Sequence, residues 1–154
     1  MDLHLSGSGS PSFYSDPSCS SLISQTHLAK GAYSQAFYLK NTKVGVQQVQ
    51  AAHPDLPAAS RVYQVDAAPP ASLKISGIAT FPANACVPFD VSFYDAAGNQ
   101  TQYNATSALT LAVGGSAQIY DDPFCQTAPA PPVTYALSAG TWSAQFFVST
   151  PVVN

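Results

Sequence analysis

The residues of this 154-residue chain that could carry chemistry are few: three cysteines, three histidines and eight acidic side chains, all of them Asp. The adjacent pair Asp121 and Asp122, with Asp95 elsewhere, offers hard oxygens of the kind that Ca²⁺ takes. The competing role for Asp16 and Asp122, each followed by Pro, is to fix a turn through side-chain-to-backbone hydrogen bonds. His4, His27 and His53 are dispersed and read as surface or loop residues rather than a shared catalytic set. No G-x-S-x-G elbow occurs, and Gly7-Ser8-Gly9 and Gly114-Gly115 lack the strand-to-helix context of a phosphate loop. No catalytic residue, metal site or cofactor is expected. Asn99-Gln100-Thr101 and Asn104-Ala105-Thr106 are formal glycosylation sequons.

An internal repeat organises these residues. Tyr14-Ser15-Asp16-Pro17-Ser18-Cys19 and Tyr120-Asp121-Asp122-Pro123-Phe124-Cys125 share Y-x-D-P-x-C, offset by 106 residues. The stretch from Gly31 to Tyr38 matches that from Gly140 to Phe147, offset by 109, with the extra residues assigned to a Pro-rich loop insertion at 128–132. Asp16 matches Asp122 while Ser15 stands in the place of Asp121, which favours the turn over the metal. The aromatic pairs Tyr33/Trp142, Phe37/Phe146 and Tyr38/Phe147 recur, which marks them as core or sheet-face residues; sugar stacking by Tyr94, Tyr103 or Phe124 is the weaker alternative.

The repeat also bears on the cysteines. Cys86 and Cys125 lie in the second copy, 39 residues apart. A disulfide between them would tie the early part of that copy to its late part; buried free thiols are the other reading, and the spacing is not that of a zinc site. The repeat partner of Cys86 for Cys19 would fall before Met1. The chain is therefore expected to be a window on a longer tandem array, which would also account for the missing signal peptide. Paired cysteines imply an oxidising compartment, extracellular or at the cell surface.

Elements that could position these residues read as short strands. Phe89, Val91 and Phe93 alternate with Asp90, Ser92 and Tyr94, so these three should face a core. Asp95-Ala96-Ala97-Gly98-Asn99 supplies a tight turn, with Gly98 at positive φ and Asp95 bonding the backbone that follows. Leu109/Leu111/Val113, the Ile119 region, Val133/Tyr135/Leu137 and Trp142/Ala144/Phe146/Val148 give further alternating runs, and Asn41 to Ala51 reads as a strand closing the first copy. The fold class expected is all-β, an antiparallel Ig-like β-sandwich of about one and a half tandem units. The boundaries are 1–66 for the later part of a first unit, 67–71 for a Pro-rich linker, and 72–154 for a second unit lacking its last strand.

Composition agrees with that class. Only 8% of residues are charged and there is no Glu, which disfavours solvated helices. A net charge of −3 speaks against nucleic acid, which is bound through clustered Lys and Arg. No apolar run reaches the roughly 18 residues of a spanning helix, so membrane insertion is not expected.

The blocks Leu73 to Gly77, Cys86 to Asn99, Tyr120 to Cys125 and Ala139 to Phe147 resemble bacterial Ig-like tandem repeats of large surface or secreted proteins, and more distantly invasin/intimin-type modules. That resemblance implies an extracellular spacer or adhesive module without catalysis. Its partners would be neighbouring Ig-like repeats and a cell-surface glycan or protein. The alternative is a carbohydrate-binding module appended to a secreted hydrolase.

Overall fold

The structure, a computed structural model, describes residues 1–129 and 132–150. These form an all-β protein with every strand pair antiparallel. Among the described residues no helix is long and apolar enough to cross a membrane. The chain divides into two compact units, Met1–Ala67 and Ala68–Asn154.

Unit 1 contains β1 (Asp2–Gly7), β2 (Ser12–Tyr14), β3 (Leu22–Ile23), β4 (Gln25–His27), β5 (Tyr38–Lys40), β6 (Gly45–His53) and β7 (Leu56–Val65). They make a four-stranded sheet, β4-β1-β6-β7, and a three-stranded sheet, β3-β2-β5. The strand expected from Asn41 begins at Gly45, and it turns at Pro54-Asp55 into a partner strand, β7, that the sequence pattern did not signal. The reason is physical: β7 is exposed along most of its length, so neither face selects apolar residues. The core is small, with Leu5 and Phe13 as its buried apolar side chains among the described residues. Phe37 meets Phe13 edge-on at 6.0 Å.

Unit 2 contains β8 (Ser72–Gly77), β9 (Val87–Tyr94), β10 (Ser107–Leu111), β11 (Gln118–Tyr120), β12 (Val133–Leu137) and β13 (Ser143–Ser149). One sheet has the order β11-β13-β9-β8, and β10 pairs with β12 in a second. The period of two in β9 works as expected: Val91 and Phe93 are buried at 1% and 2% exposure, with Phe89 half-buried beside them. Val87, Leu111, Ile119, Val133, Phe146 and Val148 complete the buried cluster around Val91. Phe89 stacks on Phe146 at 5.9 Å and lies over Gly77, where any Cβ would collide with its ring.

Residues 67–71, expected to be a linker, are held to unit 2 from Ala68 onward. The Ala68 N–H donates to Asp95, the Ala68 carbonyl accepts from the Thr101 hydroxyl at 2.8 Å, and the Ala71 N–H donates to the Tyr94 carbonyl. Part of the proposed insertion at 128–132, and residues 151–154 of the second unit, lie outside the described residues.

The two units share a strand plan that extends beyond the matched motifs. In unit 1, Asp2, Leu3 and His4 of β1 face His27, Thr26 and Gln25 of β4. At offsets of 106 and 109 these become Ala108, Leu109 and Thr110 facing Ala136, Tyr135 and Thr134, which is the β10–β12 register. The same offsets carry Ser12, Phe13 and Tyr14 against Lys40, Leu39 and Tyr38 onto Gln118, Ile119 and Tyr120 against Ser149, Val148 and Phe147. The equivalent glycines share positive φ: Gly9 and Gly115 at 71° and 69°, Gly31 and Gly140 at 85° and 89°. The register also aligns Leu3-His4-Leu5 through Gly9 with Leu109-Thr110-Leu111 through Gly115, a sparse match of two leucines and a glycine at fixed spacing.

Candidate functional site

Three aspartate-centred turns and an apolar cleft in unit 2 carry local chemistry among the described residues. The first turn follows β2. Asp16 accepts from the backbone N–H of Ser20 and Ser21, the latter at 2.7 Å, and from the hydroxyls of Ser18 and Ser20. The Cys19 N–H donates to the Asp16 carbonyl, and Cys19 sits at φ 53°. The Ser18 hydroxyl foremost, then the Ser21 N–H, holds the Asp16 carboxyl far below the usual carboxylate range.

The second turn follows β11 and has the same plan. Asp122 accepts from the N–H groups of Phe124, Gln126 and Thr127; Cys125 donates to the Asp122 carbonyl and sits at φ 52°. Desolvation is the largest influence on Asp122 and opposes ionisation, but the N–H donors together outweigh it, so its pKa is lowered. A cysteine in the left-handed region is uncommon and is kept there by the surrounding bonds. Here the two turns diverge. Cys125 is bonded to Cys86, with their Cα atoms 5.7 Å apart, whereas Cys19 is a free, partly exposed thiol. Cys86 immediately precedes β9, and β13 runs between β9 and β11 in the sheet. The disulfide therefore ties the residue before β9 to the turn after β11, two strands that are not neighbours in the sheet.

The third turn joins β9 to the segment leading to β10. Asp95, 4% exposed, accepts from the N–H groups of Ala97 and Asn99, each at 2.9 Å, from the Asn99 side chain, and from Ala68. Gly98, at φ 85°, donates to the Asp95 carbonyl. The Asn99 side chain is the main cause lowering the Asp95 pKa. Asp95 thus organises its own turn, as expected, and also clamps the start of unit 2. That second role joins residues 27 apart, so no local motif announced it.

The calcium reading brings Asp95 and Asp122 no closer to a shared site, since each carboxylate is committed to the N–H groups of its own turn. Among the described residues no three His, Cys, Asp or Glu side chains group as a metal set. The histidines lie on strands, with His4 on β1 and His27 on β4 exposed at the surface as expected and His53 on β6 half-buried. His27 Nδ1 is 2.7 Å from Asp2 at an exposed position, and this hydrogen bond is the first cause of the lowered Asp2 pKa.

The recurrent aromatics split by environment. Phe37 and Phe146 pack inward, whereas Tyr33 is fully exposed and Trp142 is 49% exposed, so neither is a core residue. Each stands two residues after a glycine at positive φ, Gly31 or Gly140. Among the sugar-stacking candidates, Tyr103 packs on Phe93 and Tyr94 lies under the Lys74 ammonium at 3.9 Å, while Phe124 is 75% exposed.

Between the sheets of unit 2 lies an open cleft of about 410 Å³. Leu73, Ile75, Phe89, Leu111, Ile119 and Phe146 are among its lining residues. Its chemistry is apolar contact; among the described residues no titratable side chain lines it. Leu73 and Ile75 of β8 remain largely exposed there, although their alternation resembles that of a covered strand.

Comparison with family models, with curated proteins and with solved structures finds no match to this chain.

Proposed function

We propose that the chain is an extracellular structural and adhesive module of the bacterial Ig-like kind, in which tandem β-sandwich repeats act as spacer or adhesion units of a larger surface protein. The observation that carries this reading is the shared strand register of the two units at offsets of 106 and 109. A repeated sandwich whose motifs build turns, one of them bridged by a disulfide to the start of β9, suits a load-bearing bead. The disulfide is compatible with an oxidising compartment.

Pulling single molecules from both ends tests the reading. Unit 2 should unfold in one resisted event, and reduction should lengthen that event by the 39-residue interval locked between Cys86 and Cys125, roughly 130–140 Å of extended chain. A chain that extends without a resisted event would overturn the spacer role.

The exposed rings of Trp142 and Phe124 favour a second reading, a carbohydrate-binding module, because flat exposed aromatics can stack on sugars. Glycan-array binding abolished by Trp142→Ala or Phe124→Ala would decide for it.

A further inference from the structure

The segment that leaves unit 1 and enters unit 2 is held unevenly. β7 ends at Val65, which pairs with Gly45. Asp66 is exposed, and its carboxylate accepts from the Gln64 side chain at 3.4 Å. Ala67 makes no hydrogen bond among the described residues. Ala68, by contrast, is gripped at both of its backbone groups. Its N–H donates to Asp95 Oδ2 at 3.2 Å, and its carbonyl accepts from Thr101 Oγ1 at 2.8 Å. Both gripping side chains are buried, at 4% exposure each. Three residues on, the Ala71 N–H donates to the Tyr94 carbonyl at 2.8 Å. Pro69 and Pro70 stand between these anchors. Their rings fix φ, and each holds the residue before it in extended backbone.

We infer that the flexible connection of this chain is Asp66-Ala67 alone, and that the grip of Asp95 and Thr101 on Ala68 keeps it that short. The Pro-rich stretch from Ala68 to Ala71 is then a rigid arm of unit 2. Grip and turn are one device: Asp95 opens the turn that Gly98 and Asn99 complete, and Thr101 lies two residues past Asn99. Releasing Ala68 would hand Ala68, Pro69 and Pro70 to the connection and lengthen it from two residues to five, while the backbone bond at Ala71 stays. For the spacer role proposed above, on which this consequence alone rests, the length of the connection sets how freely one unit turns against the next.

Amide relaxation and hydrogen exchange of the full chain test this. Order parameters should be about 0.85 at Ala68 and Ala71, as in rigid backbone, and below about 0.6 at Asp66 and Ala67. The Ala67 N–H should exchange with solvent roughly tenfold faster than the Ala68 N–H. Two variants loosen the grip. Thr101→Val removes the hydroxyl with little change of shape. Asp95→Asn keeps one oxygen for the Ala97 and Asn99 N–H groups and puts an amide NH₂ in place of the oxygen that accepts from Ala68. Combined, they should bring the Ala68 order parameter below about 0.6 and leave Val91 and Ala71 rigid. Should the double variant not fold, Thr101→Val alone should still speed exchange of the Ala68 N–H. An Ala68 as mobile as Ala67 in the unaltered chain, uniform rigidity from Asp66 to Ala71, or an Ala68 that stays rigid and protected in the variants each overturns the proposal. None of these readouts depends on resistance to pulling, so the connection and the spacer role fail separately.

Discussion

Unit 1 and unit 2 build the same aspartate turn from the same motif, and only unit 2 locks it. Around Asp16 and Asp122 the N–H groups four and five residues on donate alike, while the Ser18 and Ser20 hydroxyls join them in the first turn and the Phe124 N–H in the second; the two cysteines differ by one degree in φ. In unit 1 the turn forms with its cysteine unbridged. In both turns the carboxylate gathers the N–H groups, and in unit 2 a bridge is present as well. Cores distinguish the units more sharply. Among the described residues unit 2 buries nine apolar side chains, from Val87 to Val148, against Leu5 and Phe13 in unit 1. Local turn chemistry is thus similar in the two units, whereas burial and covalent closure are concentrated in one.

The largest expected effect on that contrast comes from the core. Phe146→Ala should destabilise unit 2 by about 3–5 kcal/mol, the usual cost of deleting a buried aromatic ring. Denaturant unfolding followed by hydrogen exchange should show the loss in β9, β11 and β13, with exchange in β1 and β6 unchanged. A matching loss across both units would break the division between them.

Next comes the bridge. Replacing Cys86 and Cys125 together by Ser should lower unit 2 stability by about 2–4 kcal/mol, the usual contribution of a disulfide. The turn should survive: the amide signals of Gln126 and Thr127 should keep their hydrogen-bonded shifts in NMR spectra, as the unbridged Asp16 turn implies. Collapse of those signals would show that the bridge makes the turn.

The smallest effect is electrostatic. The carboxyl groups of Asp16, Asp95 and Asp122 have lowered pKa values when folded. Such groups contribute stability above the unfolded-chain value near 3.8, and that stability is lost as pH falls through the folded value. Thermal midpoints should therefore hold down to about pH 4 and decline below it. Asp95→Asn should flatten the decline in unit 2 and leave that of unit 1 intact. An unchanged slope in both would remove Asp95 from the acid response.

Much of this was legible in the residues. The alternation in Val87 to Tyr94 marked β9 and its inward face because one side of that strand is covered. Asp95, Gly98 and Asn99 announced their turn because the bonds that make it are local. β7 was not legible, since an exposed strand carries no burial pattern, and the β1–β10 equivalence was missed because two leucines and a glycine make a sparse signature. Trp142 and Tyr33 show the limit of recurrence: matching positions identified equivalent places in the plan but not whether a second layer covers them.

By itself, then, the sequence determined the all-β class, the repeated D-P turns and the short-range bonds that hold them, because each depends on a few consecutive residues. Tertiary structure decided which cysteine is bridged, that Asp95 also clamps Ala68, and that residues of β8, β9, β10 and β13 line one apolar cleft. Those outcomes depend on which distant strands lie side by side, and strand neighbours are chosen by the packing of whole sheets.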